Sequence, residues 1–294
     1  MTPPLFRTRI TELFGIDHPL LCGGLMWLAN ANYVGAVVNA GGMGFITPRS
    51  FPSEEAYRDE LKKCRDITGG TNFGVNIYVS ARPEANEALG RFLDIAIEEG
   101  VQNVETAGFS PKVFLPRIKD AGMRIIHKCM VQGALAAKAL DVPFILGGGM
   151  GTGRQLVAAL ALGADGILLG SRMTVSEEIW ADEKYKQRVV AAAVSDTRIV
   201  MSIFNDNSRV LDNETARAVS ALEAEGITDF EAYRPLVQGI IQREAYAVGD
   251  PERGTLSMGQ SCAFADRIES VDAIFDGILS DAAEARDRMK TLGA

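Results

Sequence analysis

Two histidines, four cysteines and two tryptophans in 294 residues leave little material for several kinds of chemistry. Cys22, Cys64, Cys129 and Cys262 are scattered and form no C-x-x-C pair. With so few histidines beside them, a zinc site is not expected, and the scatter reads as a reduced cytoplasmic chain rather than a disulfide framework. No run of about 18 apolar residues is present, so no membrane span is expected. The opening MTPPLFRTRITELFG has no apolar stretch of the signal-peptide kind. Positive charge is not in excess. With 30 Lys and Arg against 38 Asp and Glu the net charge is -8, the wrong sign for a chain held to nucleic acid by phosphate contacts. The expected partner is a small molecule, with no nucleic acid, membrane or metal, and a homo-oligomer left open.

At 47% hydrophobic and 23% charged, the composition is that of an ordinary globular protein. The length allows one α/β barrel or two medium domains. Short apolar runs at 19–22, 43–46, 73–78, 103–106, 124–128, 144–146 and 166–169 alternate with helical patterns. Strands alternating with helices of 10–15 residues mean βα units and a parallel sheet. The count is seven, one short of the eight that close a barrel. From about residue 176 the rhythm changes. Segments 182–193, 214–225, 230–246 and 271–289 read as helical. The expected organisation is a barrel over residues 1–175 and a mostly helical region over 176–294, with the C-terminal segment free to return to the barrel.

In parallel α/β folds the site forms at the carboxyl ends of the strands. Those ends hold Gly23-Gly24, Thr47, Asn76, Glu105-Thr106, Lys128, Gly147 to Gly149, and Gly170-Ser171. The run Gly147-Gly148-Gly149-Met150-Gly151-Thr152-Gly153 lets backbone approach a ligand closely, and its amides with the helix that follows can hold an anion. Gly170-Ser171 offers a second amide and a hydroxyl. The plainer alternative is tight turns that merely need glycine. Lys128 ends a strand and can stabilise an anion in the barrel mouth, or it is an exposed lysine. His127 has the opposite parity and reads as structural, as does His18 before the first strand. Asn76 inside an apolar strand needs a polar partner, from a ligand or a neighbour. Met26 and Trp27 fit either a pocket wall or the core.

These motifs resemble the nitronate monooxygenase family, also called 2-nitropropane dioxygenases. The similar stretches are Phe6-Arg7-Thr8-Arg9, Gly23-Gly24-Leu25-Met26-Trp27, Phe73-Gly74-Val75-Asn76, Val104-Glu105-Thr106-Ala107-Gly108, Ile126-His127-Lys128-Cys129, the run from Gly153 to Gly166, Gly170-Ser171-Arg172, and Ser257-Met258-Gly259-Gln260. The resemblance implies a TIM-type (β/α)8 barrel with FMN. It places the backbone of Gly23, Gly24 and Leu25 against the flavin ring, Asn76 and Lys128 at flavin-contacting positions, and Gly147, Gly148, Gly149, Gly170 and Ser171 around the phosphate. Lys128 becomes a stabiliser of flavin charge. The implied activity is oxidation of alkyl nitronates with O2 to a carbonyl compound and nitrite. The alternatives are an NAD(P)H:quinone reductase, a flavin-dependent enoyl reductase, or a flavin-binding barrel with impaired catalysis.

The departure from the family is one missing βα unit. Cys129 runs directly into Met130-Val131-Gln132-Gly133, and the family's catalytic histidine has no counterpart here, so the catalytic base is unassigned. Either a segment is omitted between Cys129 and Met130 or it is truly deleted. An omission is favoured, because removing an inner strand leaves unpaired backbone on both its neighbours. A Cys129–Met130 Cα separation far above about 3.8 Å would mark a break.

Overall fold

The computed structural model describes residues 4–70, 72–80, 83–129 and 133–292. They form two compact units, one holding the chain through Leu169 and again from Val271, the other holding Gly170–Ser270. The Cys129–Met130 junction lies outside the described residues, as do the first positions of the helix expected from Val131.

In the first unit, helices and strands alternate as α1 (Arg9–Phe14), β1 (Leu20–Cys22), α2 (Ala31–Asn39), β2 (Met43–Ile46), α3 (Glu54–Thr68), β3 (Gly74–Val79), α4 (Pro83–Glu98), β4 (Asn103–Gly108), α5 (Leu115–Asp120), β5 (Arg124–His127), α6 (Gly133–Ala139), β6 (Leu146–Gly147), α7 (Gly153–Ala161) and β7 (Ile167–Leu169). Local chemistry starts and stops these helices. Asn30 and Ser53 accept the N–H groups of Tyr33 and Ala56, taking up first-turn donors that have no intrahelical partner. Gly69 ends α3 at φ +70°, a left-handed position where a side chain is strained.

The seven strands form one parallel sheet in the order β5-β4-β3-β2-β1-β7-β6. β1 lies between β2 and β7, with Leu21 beside both Met43 and Leu168. This is a TIM-type α/β fold open at one place. Among the described residues, no strand pairs with the outer edge of β5 or of β6. Side chains alternate along each strand, so one set faces inward. Its lower layer is a cluster of Ile10 and Phe14 from α1 with Leu21, Met43 and Phe45, and Ile126, Ile145 and Leu168 pack against it. Two residues further along the strands come Gly23, Thr47, Asn76, Glu105, Lys128 and Gly147. The apolar floor thus sets a polar layer at the mouth. Each fully buried floor side chain contributes roughly 1.5–3 kcal/mol.

The second unit contains α8 (Glu183–Val190), β8 (Thr197–Val200), β9 (Ser208–Leu211), α9 (Glu214–Ala224), α10 (Phe230–Val237) and α11 (Gly239–Val248). The sequence suggested a mostly helical region and located no strand in it, and here β8 and β9 form an antiparallel pair, Thr197 opposite Leu211 and Val200 opposite Ser208. Strands of four residues are too short for alternation to stand out. Val200 and Val210 join Val219 and Tyr233 in this unit's core. The single helix expected over 230–246 is two, because Gln238 leaves helical geometry at ψ 129° before Gly239.

α12 (Val271–Leu292) belongs to the first unit and packs along α7. A Cβ on Gly153 would lie 2.1 Å from the carbonyl oxygen of Ile278. Only a glycine permits that approach. Among the described residues, no helix is long and apolar enough to cross a membrane.

Candidate active site

Register brings the polar layer together. Asn76 lies directly opposite Glu105, and Glu105 opposite Ile126, two residues before Lys128. Glu105 is 1% exposed. Its Oε2 accepts the Gly24 N–H at 2.9 Å and the Asn76 amide at 2.5 Å, and its Oε1 lies 3.1 Å from Lys128 Nζ. A carboxylate this deep needs such partners, since an unpaired buried charge costs several kcal/mol. Asn76 therefore finds its partner within the protein. Lys128 keeps a third of its side chain exposed, and an ammonium has three donors.

The glycines of the β1 turn fit this cluster tightly. A Cβ on Gly23 would sit 2.7 Å from Glu105 Oε1 and 2.8 Å from Lys128 Nζ, and one on Gly24 would sit 2.3 Å from the Asn76 Cβ. Leu25 turns the chain, its carbonyl accepting the N–H groups of Leu28 and Ala29 at 3.0 and 2.9 Å. Trp27 follows at φ +67° with its N–H on Ser50 Oγ at 2.9 Å. Beneath the turn, burial pushes the Cys22 thiol up to about 12, with Glu105 nearby adding to the shift. That thiol is inert at neutral pH.

The β6 loop has the opposite character. Gly148 and Gly149 stand at φ +87° and +73°, and a Cβ on either would meet nothing within 4 Å. Their backbone is open to a ligand. The amides around the start of α7 are largely taken. Gly151 and Thr152 donate to Gln155 Oε1 at 2.8 and 3.1 Å, Arg154 to Asp281 Oδ2 at 2.9 Å, and Gln155 to Thr152 Oγ1 at 3.2 Å. An anion at this corner would rely on the glycine backbone more than on the helix end. A cavity of about 440 Å³ joins the two groups, lined by Glu105, Ile126, Lys128, Phe144, Gly147 and Gly148 among others.

Gly170 and Ser171 fall in the second unit. Gly170 has open space where a Cβ would stand, and Ser171 Oγ accepts the Gly259 N–H at 2.7 Å. Arg172 beyond them is buried and paired with Glu269. The structure thus groups Gly23, Gly24, Asn76 and Lys128 around one carboxylate and sets Gly147 and Gly148 on the same cavity. His127 lies with Nδ1 3.0 Å from Thr106 Oγ1. His18 precedes β1, at the end of the strand away from Gly23. Burial pulls its imidazole below the usual range, against the raising effect of Asp17 and Asp276. Glu105 is the residue that sequence reasoning left out of the site. Its signal was a charged side chain within the apolar run Val104-Glu105-Thr106-Ala107. Among the described residues, no cluster of His, Cys, Asp and Glu is arranged to hold a metal.

Comparison with known proteins places this arrangement. The sequence matches the nitronate monooxygenase family over residues 7–132 and again over residues 126–281. It is 24% identical, over 356 aligned positions, to (3aS,4S,5R,7aS)-5-hydroxy-7a-methyl-1-oxo-octahydro-1H-indene-4-carboxyl-CoA dehydrogenase of Rhodococcus jostii, covering 98% of this chain and 99% of the relative. A probable nitronate monooxygenase of Staphylococcus saprophyticus is 22% identical, with 96% and 99% covered. Among solved structures, FabK from Thermotoga maritima is similar with a TM-score of 0.88 and 27% identity, covering 98% of this chain and 99% of that one. The chain is an oxidoreductase, and it belongs to the nitronate monooxygenase family.

Proposed function

We propose that the chain uses FMN and O2 to oxidise alkyl nitronates to carbonyl compounds and nitrite. One observation carries this reading. An ammonium, an amide and a buried carboxylate ring the bare backbone of Gly23 and Gly24, beside a largely apolar cavity. That donor set suits the polar edge of a flavin ring. Gly23, Gly24 and Leu25 would lie against the ring, with Asn76 and Lys128 at its polar edge. The phosphate would take the open backbone at Gly147, Gly148 and Gly149. When bound, FMN supplies the electron transfer. The protein contributes the rest. Lys128 presents donors to negative charge on the ring, and Glu105 fixes where that ammonium stands and balances it. The cavity's apolar side chains accept an alkyl group and exclude water from it.

A preformed nitronate already lacks the proton that a neutral nitroalkane must lose to a base. No residue of this sequence matches the family's histidine, so nitronates are the substrates to expect and neutral nitroalkanes are not. The purified protein should be yellow, should bleach on anaerobic addition of a nitronate and should release nitrite in air. Purified protein that takes up no FMN refutes the reading.

The similarity to FabK and to the Rhodococcus jostii dehydrogenase favours a second reading, a flavin enzyme reduced by NADH or NADPH that acts on a quinone, an enoyl compound or a related substrate. Rapid anaerobic bleaching by a nicotinamide, with little nitronate turnover, selects it. FMN binding without turnover of either kind selects the impaired barrel.

A further inference from the structure

Among the described residues, the wall of the cavity beside β5 carries one carboxylate, Glu105, and one ammonium, Lys128, and no other Asp, Glu, Lys or Arg. The two have opposite sign and lie 3.1 Å apart, and neither makes a second ion pair among the described residues. Much of the remaining wall is apolar, with Ile126, Phe144, Ile145 and Leu168. Charges beside such a wall are screened less than in water.

The pair is asymmetric. Glu105 is fixed: its second oxygen holds the Gly24 N–H and the Asn76 amide, and β4 sets it between β3 and β5. Lys128 is a third exposed, on a flexible stem, with donors to spare. Both charges stand directly behind Gly23, where a Cβ would lie 2.7 Å from Glu105 Oε1 and 2.8 Å from Lys128 Nζ. Whatever lies against the Gly23 backbone is therefore exposed to both. The field of the carboxylate reaches its surroundings already, since Glu105 adds to the upward shift of the Cys22 thiol.

We infer that Glu105 is a positioning residue that sets the electron affinity of the bound flavin: held against Lys128, it offsets the pull of the ammonium on a negative ring, so the site holds oxidised and reduced FMN about equally. The inference rests on the FMN reading above. Two electrons added to the ring leave negative charge that an ammonium stabilises, so Lys128 alone would favour the reduced form. Glu105 opposes that charge from one contact further back. The residue that sequence reasoning left out of the site thus decides how tightly the loaded protein keeps its electrons.

Fluorescence titration gives the dissociation constant of oxidised FMN, and anaerobic equilibration with a reference dye gives the midpoint potential of bound against free FMN. Together they give the ratio of affinities for the reduced and oxidised forms, tenfold being about 30 mV for a two-electron couple. The parent's ratio should lie within about fivefold of one, Glu105→Gln should favour reduced FMN by at least about tenfold, and Lys128→Met should favour oxidised FMN by as much. The double variant should return to the parent's ratio, and Glu105→Asp, which keeps the charge, should stay within about fivefold of it. Loosened packing at the mouth weakens both forms together and leaves the ratio alone. A ratio that Glu105→Gln does not move, or a parent that already favours reduced FMN more than about tenfold, overturns the inference and leaves the flavin reading standing. If Glu105→Gln does not fold, Lys128→Met decides: a ratio equal to the parent's overturns the inference. A parent that binds FMN in neither state removes the flavin reading and this inference with it.

Discussion

The Glu105–Lys128 pair should show a measurable coupling in a double-mutant cycle built from Glu105→Gln and Lys128→Met. Removing one partner of a fully buried ion pair costs about 3–5 kcal/mol, whereas exposed pairs contribute about 0–1. This pair lies between those limits, since the carboxylate is 1% exposed and the lysine side chain 34%. Lys128→Met should cost about 1–2 kcal/mol, because Gly24 and Asn76 still solvate the carboxylate. Glu105→Gln should cost about 2–3 kcal/mol, since its amide oxygen can still accept the Gly24 N–H while its NH2 meets other donors. The double variant should recover about 1–2 kcal/mol of the sum, because neither change then leaves an unmatched charge. Urea unfolding reads the cycle. The chain has two tryptophans, Trp27 in the first unit and Trp180 in the second. A Trp180→Phe background therefore makes fluorescence report the site-bearing unit alone. A coupling below about 0.3 kcal/mol would show that water, not Glu105, balances the ammonium, and the assigned geometry of the mouth would be wrong.

Other perturbations have outcomes set by distances. Gly24→Ala would place a Cβ 2.3 Å from that of Asn76, with no flexible group to give way, so a loss of about 1–3 kcal/mol in urea unfolding is expected, together with loss of flavin binding. Gly148→Ala meets open space but keeps φ at +87°, so it should cost about 1 kcal/mol and weaken FMN binding in a fluorescence titration. Gly153→Val should detach α12 from α7, seen as faster exchange of the Ile278 and Ala282 amides. Arg58, and to a smaller degree Arg65, hold the Glu99 carboxyl below the usual range. A depressed native pKa stabilises above the unfolded value and loses that stability as pH falls through it. Glu99→Gln should therefore be less stable than the parent at pH 7 in urea titrations, with the gap closing as the pH falls below the usual glutamate range.

The barrel was legible because its signals are local and repeated. Seven short apolar runs recur between residues 19 and 169, and every one of them contains or overlaps an observed strand. The count of seven pointed to a vacancy, and the sheet order locates it between β5 and β6. The hairpin of β8 and β9 was not legible. Ile199 is exposed and Val200 buried, but two such residues do not establish a period.

The site divides along the same line. Strand ends can be read from sequence, so Asn76, Lys128 and the glycines could be placed at a mouth. Which of them touch depends on register, and register is a property of pairs of strands. Glu105 was visible as one of several strand-end residues, marked only by its charge within an apolar run, which does not say what it touches. Only the β3–β4–β5 alignment, Asn76 beside Glu105 and Glu105 beside Ile126, with Gly24 above it, turns it into the centre of three polar contacts. The same alignment changes the meaning of Lys128. Read alone, it is a free cation awaiting an anion. Read with Glu105, it is half of a neutral pair, and any ligand drawn to it must compete with a carboxylate that the fold holds in place. Neutral or delocalised acceptors such as a flavin edge can share that ammonium without displacing Glu105, whereas a compact dianion would be repelled by it. If the proposed flavin binds, that electrostatic preference favours the ring at Lys128 and the phosphate at the open glycine backbone of β6 over the reverse.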